Sequence, residues 1–198
     1  MRSRIAVLAS GGGSNLQAIH DYFSSIGEAR SADVVVVISD RSGAYALERA
    51  RSNGIETLVV PHTEHGELDE SLASRKIDLV VLAGYLRLLP ATVIERFRHR
   101  IVNIHPGPLP RFGGAGMYGE RVHAAVIESG VRETAVTVHL VDEQYDNGAI
   151  LAQWAVPVLD GDTPESLSRR VVAVEHVMYP RVIELVVALL ASTTNSTH

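Results

Sequence analysis

The segment Ile101–Pro106, IVNIHP, places an amide and an imidazole two residues apart, at Asn103 and His105. Alternate side chains of an extended strand share a face, so the two point together for as long as the strand persists. An amide donor and an imidazole aimed at one point can hold an oxygen on which charge develops. The imidazole can also pass a proton near neutral pH. A structural role suits the same residues: Asn103 can finish a strand end, and His105 can tie down the proline-rich loop that follows.

A carboxylate that could complete such a site is Asp146, in the acidic stretch VDEQYDNG with Asp142 and Glu143. Beside His105 it can orient the ring or accept a proton through water. Asp146-Asn147-Gly148 is equally ordinary turn chemistry. An anion site is suggested by ASGGGSN, Ala9–Asn15, where three glycines follow an apolar run. Glycine lets backbone N–H groups approach a ligand, and Ser14 and Asn15 add polar side chains at a helix start. The segment is not a nucleoside-triphosphate loop, since no Gly-Lys-Ser/Thr follows, and it lacks the third glycine of the dinucleotide fingerprint. Both a phosphate-binding turn and a tight structural turn therefore remain open.

The other polar groups carry weaker signals. His62 and His65 share a loop, His123 and His139 fall in regular elements, and His20 and His99 suit surface or packing roles. No His-Glu-x-x-His spacing occurs, so no metal site is expected. Glu175 and His176 follow the apolar-face residue Val174 on a long C-terminal helix, where polarity or a loop cap accounts for them.

These groups need a scaffold that brings distant segments to one edge. RIAVLA, DVVVVISD, IETLVVP, KIDLVVLAGY and IVNIHP are continuously apolar runs separated by helical patterns. Such runs mark parallel strands covered by helices on both faces, and the repeated strand–helix order predicts a doubly wound, Rossmann-like α/β sheet. Open sheets of this kind bind ligands at the C-terminal ends of their strands, where Asn103 and His105 stand. TAVTVHLVD and AILAQWAVPV flank the acidic loop and predict an added antiparallel pair. DGDTPESL starts the last helix, with Thr163 as cap and Pro164 in its first turn. Pro180 is expected to interrupt or kink that helix.

The 198 residues, 46% hydrophobic and 21% charged, fit one soluble globular domain. A formal net charge of −5 argues against a nucleic-acid groove. The absence of cysteine excludes disulfides, thiolate metal sites and a cysteine nucleophile. The N-terminal apolar run is too short for a secretory signal or membrane span, making the cytoplasm the default location. The domain is expected over residues 1–190, in two halves over about 1–100 and about 101–190. Residues 191–198 are expected to form a disordered tail.

Several separated segments, in order, resemble the glycinamide ribonucleotide formyltransferase family, the folate-dependent enzymes of purine synthesis. SGGGSNLQAI is similar to its phosphate loop, VVLAGYLRLL to its folate-pocket strand, and NIHPGPLP to its catalytic segment. VTVHLVDEQYDNGAILAQ resembles the stretch carrying its catalytic aspartate, and VEHVMYP its late helix. The resemblance implies transfer of a formyl group from 10-formyltetrahydrofolate, as cosubstrate, to the amine of 5'-phosphoribosylglycinamide, without a metal.

On that resemblance Asn103 hydrogen-bonds the formyl oxygen, His105 stabilises the tetrahedral intermediate, and Asp146 orients His105 and moves a proton through water. Gly12, Gly13, Ser14 and Asn15 hold the substrate phosphate, while Gly84 and Glu175 adjoin the glycinamide portion. Arg87, Leu88 and Leu89, with backbone around Leu140, Val141 and Asp142, form the folate pocket, and His123 lines the entrance. The chain departs from many relatives in having Gly107 and Pro108 where HPSLLP is common. Its RFGGAGMYGERVH segment is also longer, and no role is carried over to Tyr118 or Arg121. The resemblance also admits formyltetrahydrofolate hydrolysis and methionyl-tRNA formylation. Hydrolases usually carry an extra N-terminal domain and the tRNA enzymes a further C-terminal one, neither expected here. A nucleotide- or folate-binding regulator without turnover is the reading from another class. Either a monomer or a homodimer is compatible with the apolar Val186–Leu190 stretch.

Overall fold

Strands apolar on both faces have to be covered on both faces, and the chain alternates strand and helix accordingly. The computed structural model describes residues 2–195. The elements are β1 (Ser3–Leu8), α1 (Ser14–Ile26), β2 (Ala32–Ser39), α2 (Tyr45–Ser52), β3 (Glu56–Val59), α3 (His65–Ser74) and β4 (Leu79–Leu82). They continue through α4 (Ala91–Arg96), β5 (Ile101–His105), α5 (Glu120–Glu128), β6 (Glu133–Leu140), β7 (Ile150–Pro157) and α6 (Pro164–Asn195). A 3-10 turn, Gly27–Ala29, follows α1.

The seven strands form one sheet in the order β3-β2-β1-β4-β5-β6-β7. The first five are parallel, and β6 pairs antiparallel with both β5 and β7. This is the mixed, Rossmann-like sheet expected from the pattern. Successive residues of each parallel strand enter different layers. Ile5 and Val7 join α1 and α6 residues such as Ile19, Phe23 and Ile183, whereas Ala6 and Leu8 meet Leu72, Val93 and Phe97 from α3 and α4. The connection order reverses at β1, which has β2 on one side and β4 on the other. Their following loops meet there, with Ser10 N–H donating to Gly84 O at 3.0 Å. Such a switch point is where an open α/β sheet leaves a crevice.

Two expectations about the C-terminus need correction. Helix α6 passes through Pro180 without interruption and continues to Asn195, beyond the end expected at Leu190. Proline removes one helical N–H and costs about 3 kcal/mol in a helix interior. Around it, however, Met178, Tyr179 and Ile183 are buried against the sheet. Each buried side chain of this size contributes about 1.5–3 kcal/mol, so the packing outweighs the defect. Tyr179 Oη–H also reaches the carbonyls of Leu82 (2.8 Å) and Val102 (3.1 Å), fixing α6 to the ends of β4 and β5. Residues 191–195 of the expected tail are thus helical, and 196–198 lie outside the described residues.

Candidate active site

Strand β5 ends at His105, and its antiparallel partner β6 sets Asn103 opposite His139 and His105 opposite Thr137. Asn103 Nδ2 lies 3.1 Å from His139 Nε2 and 3.5 Å from Asp146 Oδ1. The carboxylate stands between two imidazoles, with Oδ2 3.5 Å from His105 Nδ1 and Oδ1 3.5 Å from His139 Nε2. Gly114 N–H donates to Oδ2 at 2.9 Å. Asp146 itself has φ 53°, the left-handed region that asparagine and aspartate enter more readily than other residues. A backbone held in an uncommon conformation at the point where three polar side chains meet is typical of a functional site.

Each tautomer follows from its acceptor. His139 Nδ1 faces Leu140 O at 2.8 Å, and His105 Nε2 faces Phe112 O at 2.7 Å. A carbonyl only accepts, so those nitrogens carry the protons. His139 Nε2 is then the acceptor that turns the Asn103 amide so that its NH₂ points into the cluster. Burial holds His105 below the ordinary histidine range, Asp146 and Phe112 O opposing that effect in part. Burial alone would raise Asp146. The neighbouring His139 and His105 and the Gly114 N–H outweigh it and keep the carboxyl below the usual carboxylate range. At neutral pH the cluster is a carboxylate flanked by a neutral His105.

The cluster forms one wall of a cavity of ≈ 390 Å³. Arg87, Leu88, Leu89 and Val141 line the same space, as do Gly84, Asn15 and Glu175. Glu175 is 6% exposed, and its Oε2 accepts from Asn15 Nδ2 at 2.7 Å. Burial pushes its carboxyl up, with the Asn15 bond opposing. The cavity therefore joins the proton-handling cluster to an acidic group beside the glycine-rich turn. Arg87 Nε stands 3.4 Å from Asp40, whose side chain is almost wholly buried. Tyr85, also on this wall, has its phenol pushed up to about 12 by burial and by Asp40.

Not every residue singled out in the sequence touches this space. Ser14 lines a second, shallower hollow with Gln17, Arg49 and His176, whereas Gly12 and Gly13 line neither. Gly12 O accepts from Arg49 Nε at 2.9 Å. Gly13 has φ 72°, and a Cβ there would lie 2.7 Å from Cα and Cβ of Ala46, so only glycine lets α2 dock on this turn. Of the Leu140–Asp142 stretch only Val141 lines the cavity, and Asp142 accepts from Gln144 N and Asn147 Nδ2.

Sequence reasoning passed over His139, because its side chain acquires meaning only from the β5–β6 register. His123 is likewise buried on the cavity wall with Nδ1 lacking a partner, and burial, then His105, lowers it. Tyr118, given no role from the sequence, also lines the cavity.

Residues 3–183 match the family model described as formyl transferase. The chloroplastic phosphoribosylglycinamide formyltransferase of Arabidopsis thaliana is 45% identical over 190 residues, spanning 92% of this chain and 64% of that protein. The trifunctional purine biosynthetic protein adenosine-3 of Drosophila melanogaster is 41% identical over 94% of this chain, which corresponds to only 14% of its own length. The chain thus spans less than two thirds of either relative. Among solved structures, glycinamide ribonucleotide transformylase 1 from Symbiobacterium toebii superposes with a TM-score of 0.86 at 43% identity, over 94% of this chain and 88% of that one. Phosphoribosylglycinamide formyltransferase from Anaplasma phagocytophilum gives 0.87 at 38% identity, over 95% and 88%. With the family match covering most of its length and the same fold in these structures, this chain belongs to the formyl transferase family.

Proposed function

We propose that the protein is a phosphoribosylglycinamide formyltransferase. It transfers the formyl group of 10-formyltetrahydrofolate to the amine of 5'-phosphoribosylglycinamide. The products are 5'-phosphoribosyl-N-formylglycinamide and tetrahydrofolate, in de novo purine (IMP) biosynthesis. The observation that carries this reading is the meeting of Asn103, His105 and Asp146 within 3.5 Å on the wall of a cavity that Asn15 and Glu175 also line.

In this reading the substrate amine attacks the formyl carbon, and the carbon–N10 bond of the folate breaks after a tetrahedral intermediate. One proton leaves the amine and one arrives at N10. Asn103 Nδ2–H donates to the oxygen on which charge gathers, and it is already oriented to do so by His139. Ionised Asp146 accepts the amine proton, directly or through water, and returns it toward the leaving nitrogen. His105, next to that carboxylate, stabilises the charge that develops. Leu88, Leu89 and Val141 supply apolar contact for the folate ring, and Arg87 a cation at the cavity mouth. Glu175 accepts from the glycinamide N–H, while the backbone turn Gly12–Asn15 holds the phosphate. We further propose a cytoplasmic protein acting as a monomer or homodimer. Among the described residues no helix is long and apolar enough to cross a membrane.

The test is incubation of the purified chain with both substrates. Tetrahydrofolate released only in the presence of the amine is the expected result. Release without amine indicates a hydrolase, and binding without product a folate-binding module; either result removes the proposal. Asn103→Ala, His105→Ala and Asp146→Asn should each lower kcat about 100-fold or more with little change in KM for the phosphate substrate. A variant with near-normal turnover loses its assigned role.

A further inference from the structure

A neutral imidazole offers one donor and one acceptor, and a buried one normally uses them. His123 departs from that rule. It is 2% exposed and lines the cavity, and its Nδ1 is sealed from solvent with no partner. A polar nitrogen left unpaired in the interior is costly, and an apolar side chain of similar size would avoid the cost. The partner the ring lacks has to come from what enters the cavity.

Which half of the cavity the ring serves follows from the two core layers. Val122 and Val126 seat α5 in the layer of α1 and α6, together with Leu16, Leu167 and Val171. That layer also brings Asn15 and Glu175 to the cavity, the first beside Leu16 and the second one turn after Val171. Leu89 and Val141, on the wall assigned to folate, belong to the opposite layer. His123 thus shares its side of the sheet with the groups assigned to the amine substrate. Burial, and then His105, lower the ring from the ordinary histidine range, so it meets that substrate uncharged at neutral pH. An uncharged ring that both donates and accepts suits a hydroxyl better than a phosphate, which takes a cation or a backbone turn. In the proposed reading the phosphate has the Gly12–Asn15 turn, the glycinamide N–H has Glu175 and the amine has Asp146. The sugar hydroxyls are the polar groups still without a protein partner.

We infer that His123 binds a hydroxyl of the ribose in the amine substrate, and so selects a ribosyl over a deoxyribosyl compound. The identity of the substrate rests on the proposed function. His123 is a binding residue and takes no part in the proton path.

His123→Leu nearly conserves volume and removes both ring nitrogens. Tm of the ligand-free chain should hold or rise, because an unpaired buried nitrogen is gone. KM for 5'-phosphoribosylglycinamide should rise about tenfold, the worth of one hydrogen bond, with kcat and KM for formyltetrahydrofolate near their starting points. A merely structural ring would do the reverse, lowering Tm and leaving both KM values alone. An unchanged KM would mean that cavity water alone meets the nitrogen, and refutes the inference; an equal rise in both KM values does so too. Wild type should bind either the 2'-deoxyribosyl or the 3'-deoxyribosyl analogue about tenfold more weakly than the substrate itself, and His123→Leu should not discriminate. A wild type that binds both analogues as well as the substrate overturns the inference even if His123→Leu fails to fold. Calorimetry gives these affinities without turnover. Substrate bound with that discrimination but not converted would remove the formyl-transfer reading and leave the sugar contact standing, whereas turnover without the KM split would do the opposite.

Discussion

Asp146 owes its low proton affinity to its neighbours, because burial by itself pushes the carboxyl in the opposite direction. His139 is the neighbour with two functions: it flanks Oδ1 and it accepts from the Asn103 amide. His139→Ala should therefore release the amide. Without its acceptor Asn103 loses its fixed orientation, and kcat should fall about tenfold, corresponding to about 1.4 kcal/mol, with little change in KM. Steady-state kinetics of wild type and variant at about pH 7.5 check it. An unchanged kcat would show that His139 does not hold the amide.

At the level of elements, the docking of α2 on the glycine-rich turn is the most exacting contact near the site. Ala46 N–H donates to Gly11 O at 3.0 Å, and Ala46 leaves no room for a side chain at residue 13. Gly13→Ala combines a positive φ with a collision against backbone, and should destabilise the fold by about 1–3 kcal/mol. Because the turn faces the proposed phosphate, KM for the phosphate substrate should rise more than kcat falls; urea denaturation and steady-state kinetics measure the two. A variant of unchanged stability would mean that α2 yields easily. The turn itself was legible in the sequence as three glycines after a strand, but the reason for the third lay in α2, which no local pattern joins to it. The same limit governs the rest of the site. The parallel strands could be read from continuous apolar runs, and Asn103 and His105 from their alternation at a strand end. Asp146 entered as one carboxylate among three in a turn, distinguished by resemblance, and His139 waited on the β5–β6 register that sets it opposite Asn103. Pro180 misled because a local rule about helices ignores the sheet contacts that hold α6 on either side of it.

Across the whole molecule, the two hydrophobic layers that stabilise the sheet also enclose titratable groups. His105 and His123 are buried, and each is lowered from the ordinary value of 6.5 with burial as the largest cause. His176, lowered by burial and then by Arg49, follows in the same direction. The native state therefore binds fewer of these protons than the unfolded chain, starting near pH 6.5. Stability should fall as pH drops through that region, because the unfolded state is the one that gains protons. Each of the two buried rings can contribute at most about 1.4 kcal/mol per pH unit. Glu175 acts with the opposite sign. Its carboxyl is raised, so above its unfolded value of 4.5 the native state holds the extra proton and moderates the loss at the acid end. The steepest decline should consequently lie just below pH 6.5. Urea midpoints taken between pH 7.5 and 5 should show it, and His123→Gln should make the decline shallower even if it lowers stability at every pH. A wild-type curve flat through about pH 6 would mean that the buried histidines take up protons in the native state as readily as in the unfolded chain, and a variant equally steep would mean the same of His123.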